Sequence, residues 1–147
     1  MSDNRLAPDD PIEWLNRARS NLTQARTRVA GVYLEDLCFA AQQAAEKSVK
    51  AVLIRLGVDF PYTHDITRLL SLVEQNGQDV PDRVKAASAL SDYAVESRYP
   101  GLAEPITEDE YSEALSLAER LMVWAETMIK RARNENEARG KANPAIH

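Results

Sequence analysis

The sequence predicts an all-α protein, an up-and-down antiparallel bundle of four to five helices. Two observations lead to this prediction. Apolar residues recur every three or four positions through most of the chain, as they do on the buried face of a helix. The five glycines fall mostly at the ends of these periodic segments, where glycine commonly terminates a helix. The pattern therefore favours helices joined by short loops.

The first two predicted helices carry the clearest signals. Helix formation is expected to begin near Pro11, with Asp10 as the N-cap and Glu13 completing a capping box. The second helix should run from about Tyr33 to Leu56, because its apolar positions form a wide face, and it should end just before Gly57. Its many alanines allow a neighbouring helix to approach closely. We therefore expect this second helix to lie at the centre of the bundle.

The rest of the bundle follows from the same signals. A short third helix should begin near Ile66 and end at Gly77, and a fourth should extend from about Pro81 to near Tyr99. The fourth helix cannot continue, because proline at the next position disfavours helical backbone in the residue before it.

Thr107 and Glu110 form a second capping box, which predicts the start of a long last helix. The apolar periodicity of this helix is lost after about Glu135. We therefore divide the chain into an N-terminal extension (residues 1–10), a helical-bundle domain (residues 11–135) and a flexible C-terminal tail (residues 136–147).

Length and composition exclude several classes of protein. The chain has 147 residues, of which 44% are hydrophobic and 28% charged, as expected of one soluble domain. No apolar run approaches the roughly 18 to 20 residues of a membrane span, and residues 1–10 do not resemble a secretory signal. The single Cys38 cannot form an intramolecular disulfide, so the expected compartment is the reducing cytoplasm.

The chemistry of the sequence matches no general catalytic motif. It contains no glycine-rich phosphate loop and no serine in a nucleophile elbow, and its two histidines lack metal-binding spacing. We therefore expect neither a metal nor a cofactor. The net charge of −5 argues against non-specific electrostatic binding of nucleic acid. We therefore expect no binding of DNA, and any contact with RNA must use a local site.

One combination of segments resembles the HEPN family, the small helical domains named for higher eukaryotes and prokaryotes nucleotide-binding. The resemblance covers about residues 17–131. It is carried by the order and spacing of five short pieces: the alanine-rich segment 41–51 (AQQAAEKSVKA), Gly57, the segment 62–66 (YTHDI), Leu69-Leu70 and the segment 97–100 (SRYP).

The resemblance implies a homodimer, often paired with a minimal nucleotidyltransferase as the toxin half of a toxin–antitoxin system. Many family members are metal-independent ribonucleases whose signature is an arginine followed after four to six residues by a histidine. Here Arg98 matches the arginine, but Ala103, Glu104 and Pro105 occupy the positions of the histidine. The general base of the signature is therefore missing, and acid–base assistance of this kind is typically worth about 10²–10⁴-fold in rate.

These considerations leave three hypotheses. The preferred one is a nucleotide-binding, RNA-binding or interaction module, the toxin-like half of such a pair. The first alternative is an active metal-independent ribonuclease in which water, or a histidine outside the signature, handles the proton. The second is a helical adaptor without a small-molecule site. Whether the protein is an enzyme stays open at this point.

Five residues are candidates for ligand binding. Arg98 is also the candidate catalytic residue. Its guanidinium can hold a phosphate, or it can simply complement a helix C-terminus. Tyr99 can stack on a base or pack at the helix end. Lys47 and Lys50 share a helix face and form either an anion-binding strip or a solvated face. His64 follows Thr63, a predicted N-cap, so it either anchors the loop or supplies an imidazole.

Overall fold

The structure, a computed structural model, describes residues 5–94 and 105–142, with side chains in the last helix described as far as Arg131. Within these residues the chain is entirely helical, which confirms the predicted fold class. It contains five α-helices and one 3₁₀ helix. In chain order they are α1 (Pro11–Arg26), α2 (Leu34–Leu56), α3 (Ile66–Gln75), α4 (Asp82–Lys85), the 3₁₀ helix (Ala86–Ala94) and α5 (Glu108–Ala142).

Helix α1 begins where the sequence predicts, but its capping box does not form. The Asp10 carboxylate accepts a hydrogen bond from the Ile12 amide at 2.8 Å, as an N-cap should. The Glu13 carboxylate, however, forms its hydrogen bonds with other groups. It accepts from the Leu6 amide at 3.0 Å and from Arg17 Nε at 2.9 Å, and this ties the N-terminal extension to the helix.

Helix α2 is the central helix, as predicted. It packs against α1, α3, α5 and the 3₁₀ helix, and its buried alanines let these neighbours approach closely. The fully buried members of this set are Ala41, Ala44, Ala45 and Ala51. The helix ends at Gly57, whose φ of 72° places it in the left-handed region, where glycine avoids the steric cost of a Cβ.

The predicted fourth helix is wrong in type. Only four residues form the α-helix α4, and the next nine wind as the 3₁₀ helix. Val84, Ala87 and Leu90 are fully buried, and their spacing of three residues matches the tighter winding. A 3₁₀ helix has three residues per turn, so these side chains lie directly above one another on one line facing the core. The predicted end near Tyr99 lies outside the described residues.

Helix α5 begins with the predicted capping box. The Thr107 amide donates to the Glu110 carboxylate, and the Glu110 amide donates to the Thr107 hydroxyl, both at 3.1 Å. The helical backbone then continues to Ala142, past Glu135, where the apolar periodicity is lost. In the described part of the chain, none of the helices combines the length and apolar character needed to cross a membrane.

The buried face of α2 generates a prediction about stability. Leu53 is fully buried on this helix, so Leu53→Ala should leave a cavity and lower the free energy of unfolding by about 2–5 kcal/mol. Urea denaturation followed by circular dichroism measures this change. Val29→Ala is the control, because the Val29 side chain is 57% exposed and its truncation should have little effect. Equal losses in both variants would contradict the assigned core.

Candidate functional site

The centre of the candidate site is the buried carboxylate of Glu46, which is only 3% exposed. Its Oε1 atom accepts from Gln42 Nε2 at 2.9 Å and lies 2.8 Å from His64 Nδ1. Its Oε2 atom accepts from Lys50 Nζ at 2.9 Å. Three side chains therefore satisfy one carboxylate, as a charge at this depth requires.

Two elements bring these groups together. Gln42, Glu46 and Lys50 are four residues apart on α2, so they lie above one another on the same face of the helix. His64 comes from the loop that joins α2 to α3. The end of this loop is fixed by Asp65, whose carboxylate caps α3 by accepting from the Thr67 amide at 3.0 Å.

The electrostatics of the cluster favour an ionised Glu46. Burial alone would raise the pKa of this carboxyl, but hydrogen bonds from Lys50, Gln42 and His64, together with the charge of Lys50, outweigh burial and lower it. Lys50 is itself 6% exposed. The two opposite charges therefore compensate each other inside the protein.

The ionised carboxylate also determines the hydrogen-bonding role of His64. A carboxylate can only accept, so the Nδ1 atom of His64 must donate to it. In the neutral imidazole the lone pair then lies on Nε2, which can accept a proton or a hydrogen bond. The side chain of His64 is 45% exposed, so part of the ring is accessible to solvent and to a ligand.

Aromatic rings enclose the ammonium of Lys50. Lys50 Nζ lies 5.7 Å from the ring centroid of Phe60 and 6.0 Å from those of Trp14 and Tyr62. The Tyr62 side chain is 90% exposed, and its ring meets that of His64 edge to face, with centroids 5.4 Å apart. The outer edge of the site is thus an exposed aromatic ring beside an exposed imidazole.

A second group of cations adjoins the cluster on the α1 side. Lys47 Nζ donates to Asn21 Oδ1 of α1 at 2.7 Å. Burial lowers the pKa of Lys47, and the neighbouring charges of Arg17 and Lys50 lower it further, against the opposing effect of Glu46. Arg17, Lys47 and Lys50 therefore lie close enough for their charges to interact. We refer to these three residues with Trp14, Phe60, Tyr62 and His64 as the cation–aromatic surface.

The structure brings together two of the predicted ligand residues. Lys50 and His64 meet at Glu46, whereas Lys47 points to α1. The interpretation of the two lysines as a solvated face is wrong for Lys50, because this side chain satisfies a buried carboxylate and is itself buried.

The predicted N-cap of α3 is wrong. Thr63 is not the N-cap of α3, because Asp65 takes that position and the Thr63 hydroxyl accepts from the Asp65 amide. The predicted contacts of Arg98 and Tyr99 lie outside the described residues.

Sequence reasoning missed the organising role of Glu46 and the contributions of Gln42, Trp14 and Phe60. One signal was present, because Gln42, Glu46 and Lys50 recur at helical spacing on a face that is otherwise apolar. Polar residues on such a face must find partners. Among the residues that the structure describes, no group of histidine, cysteine and acidic side chains has the arrangement of a metal site.

The family model of the HEPN domain matches residues 12–129, which is most of the chain and includes every residue of this site. The chain belongs to the HEPN family. Its five-helix bundle also resembles solved structures. The crystal structure of ST0689, described as an archaeal HEPN homologue, is 29% identical with a TM-score of 0.67, and the match covers 82% of this chain and 98% of that one.

A second solved structure has a slightly higher similarity to this HEPN domain. The crystal structure of TT1696 from Thermus thermophilus is 34% identical with a TM-score of 0.70, and the match covers 80% of this chain and 97% of that one. No curated protein matches the chain. The comparisons therefore establish family and fold.

The Glu46 cluster of this HEPN domain generates a prediction about pH. Its carboxyl pKa is lower in the folded than in the unfolded protein, so its stabilising contribution is present above about pH 4.3 and is lost as the pH falls through the folded-state pKa. Glu46→Gln should remove this part of the acid dependence. At pH 7 the variant should lose about 3–5 kcal/mol, because Lys50 stays buried without a counter-charge.

Urea denaturation at pH 7 and at pH 3.5 checks both effects. Asp92→Asn is the control, since Asp92 is an exposed carboxylate on the 3₁₀ helix and its loss should change neither value appreciably. A Glu46→Gln protein with wild-type stability and wild-type acid dependence would show that the cluster does not stabilise the fold.

Proposed function

We propose that this HEPN domain is a nucleotide- or RNA-binding module that acts in the cytoplasm as a homodimer, the toxin-like half of a pair with a minimal nucleotidyltransferase. The binding role is supported above all by one observation. The exposed ring of Tyr62 and the exposed imidazole of His64 lie side by side next to a group of cations. The dimer and the nucleotidyltransferase are implied by family membership, and the cytoplasmic location is inferred from the single cysteine.

The cation–aromatic surface has the components that nucleotide binding requires. An exposed aromatic ring can stack on a base, and the partly exposed guanidinium of Arg17 can contact phosphate. The side chain of Arg17 is 49% exposed, so its guanidinium remains accessible although it pairs with Glu13. A local arrangement of this kind is needed because the net charge of the chain is −5 and the protein as a whole repels polyanions.

Arg98 and Tyr99 enter the proposal through the family resemblance alone. Arg98 would hold a phosphate through two parallel hydrogen bonds, and Tyr99 would stack on a base. Arg98→Ala should therefore weaken the binding of a single-stranded RNA measured by fluorescence anisotropy.

A second candidate function, metal-independent cleavage of RNA, is favoured by the pairing of His64 with Glu46. A histidine whose Nδ1 is held by a carboxylate presents Nε2 as a proton acceptor, which is the orientation that a general base needs. The structure therefore supplies a histidine outside the family signature. This geometry accounts for the general base and for no other catalytic group, so binding without efficient cleavage remains our preferred function.

The contribution of Tyr62 to binding can be measured directly. Tyr62→Ala should weaken the affinity for a fluorescein-labelled single-stranded RNA by about 5- to 150-fold, because loss of base stacking costs about 1–3 kcal/mol. Tyr33→Ala is the matched control, since the Tyr33 side chain is 75% exposed at the start of α2, away from the site. Equal affinities of the two variants would contradict the proposed surface.

The same RNA separates the candidate functions. Under the proposed function the wild-type protein binds the RNA and leaves it intact in the presence of EDTA. Cleavage by the wild type that is lost in His64→Gln would instead establish the ribonuclease. If neither RNA nor a nucleotide such as ATP binds or shifts the melting temperature, the helical adaptor is correct, because a ligand at 100 times its Kd should stabilise the protein by about 2.7 kcal/mol.

A further inference from the structure

A groove of about 440 Å³ lies where the N-terminal extension meets helix α1. It is distinct from the cation–aromatic surface but shares Arg17 with it. The three α1 residues that line it after Glu13 lie three, four and seven positions further along the chain, so all four share one face of the helix. We call it the α1 groove, and in chain order it is lined by Arg5, Glu13, Asn16, Arg17 and Ser20.

The N-terminal extension is held against α1 by hydrogen bonds at two points. The Leu6 amide donates to Glu13 Oε1 at 3.0 Å, and Trp14 Nε1 donates to the carbonyl oxygen of Pro8 at 2.7 Å. The hydrogen bond from Leu6 lowers the pKa of the Glu13 carboxyl. The hydrogen bond and charge of Arg17 and the charge of Arg5 lower it further, against the opposing effect of burial. The positive charge of Arg5 therefore acts at the α1 groove.

Glu13 is the one acid among the described residues that line the groove, and its charge is covered. The residue is 2% exposed, and its two oxygen atoms accept from the Leu6 amide and from Arg17 Nε. Because Arg17 uses Nε for this bond, the two terminal amino groups of its guanidinium carry four further N–H donors. The groove thus combines two arginines with one covered carboxylate, and a ligand meets a positive surface.

Two neutral side chains add hydrogen-bond donors to the groove. Asn16 Oδ1 accepts from Arg19 Nη1 at 3.1 Å, so the donor end of this amide, Nδ2, is the part that a ligand oxygen can use. Ser20 lies about one turn further along α1 and contributes a hydroxyl, and both side chains are exposed. Guanidinium, amide and hydroxyl donors together match a phosphate group, whose oxygen atoms accept hydrogen bonds.

The α1 groove is continuous with the cation–aromatic surface. Arg17 lines the groove, and its charge interacts with that of Lys47 on the neighbouring helix. Trp14 links the two regions as well. Its Nε1 holds the N-terminal extension, and its ring centroid lies 6.0 Å from Lys50 Nζ. A ligand on the cation–aromatic surface can therefore extend into the groove on the α1 side.

We propose that the α1 groove is a phosphate-binding subsite that extends the cation–aromatic surface. A base of the ligand stacks on Tyr62, and a phosphate of the same ligand is held by Arg5 and Arg17, with Asn16 and Ser20 donating to its oxygen atoms. This inference rests on the proposed function and specifies where the phosphate binds. Arg5 precedes residues 12–129, so the subsite uses a residue that the family model does not include.

The salt dependence of RNA binding tests the subsite. Fluorescence anisotropy gives the affinity for the labelled single-stranded RNA at several salt concentrations. For single strands, the logarithm of the association constant falls with the logarithm of the salt concentration, with a slope of about 0.7 per phosphate contacted. Arg5→Ala should therefore weaken binding at low salt and make this slope less steep by about 0.7. Tyr62→Ala should weaken binding with the slope unchanged, because stacking on a ring releases no counterion.

Asn16→Asp is a second variant that acts on the same groove. It keeps the size of the side chain and the acceptor for Arg19 but places a carboxylate among the donors, so RNA affinity should fall while the melting temperature is retained. Arg83→Ala is the matched control. It removes the same charge from an exposed position of α4, which packs against α5 and the 3₁₀ helix, and it should leave the slope unchanged.

The outcomes separate the subsite from the proposed function. A wild-type protein that binds neither the RNA nor ATP would overturn both. If Tyr62→Ala weakens binding while Arg5→Ala and Asn16→Asp behave like Arg83→Ala, the subsite alone is wrong. Titration with ATP identifies the source of the phosphate. A loss of affinity in Arg5→Ala that is limited to RNA assigns the subsite to the backbone of a strand, and an equal loss with ATP assigns it to the phosphates of a nucleotide.

Discussion

The buried carboxylate of Glu46 is the constraint on which the arrangement of the site depends. A charge that is removed from water must be compensated by donors in correct geometry, or the fold loses several kcal/mol. Lys50 and Gln42 come from the same helix, but the third donor, His64, must come from a loop. The loop between α2 and α3 must therefore follow a path that lets His64 donate to Glu46, and the same path presents Tyr62 at the surface.

The position of α2 explains why the site lies at an edge of the bundle. Neighbouring helices cover this helix along most of its length, and its fully buried alanines let them pack closely against it. Functional side chains can therefore reach solvent only where a loop or the rim of a helix interrupts the packing. Lys50 and its aromatic neighbours lie at such a place, where α1, α2 and the loop after Gly57 meet.

The sequence was sufficient for features determined by local interactions. Three features depend on residues that lie close together in the chain: the Asp10 cap, the Thr107–Glu110 capping box and the central position of α2. All three were predicted. The winding of the fourth helix was not, because a spacing of three residues also fits one face of an α-helix. Lys50 and His64 were predicted by residue type, but their meeting at Glu46 depends on the path of a loop, which is a tertiary property.

The net charge of −5 does not describe the surface that the structure suggests for ligand binding. At physiological ionic strength the interaction between exposed charges is screened over about 8 Å, so a ligand responds to the groups that it touches. Around Lys50 the exposed groups are the ring of Tyr62, the imidazole of His64 and the guanidinium of Arg17, whereas the charge of Lys50 itself is compensated by Glu46.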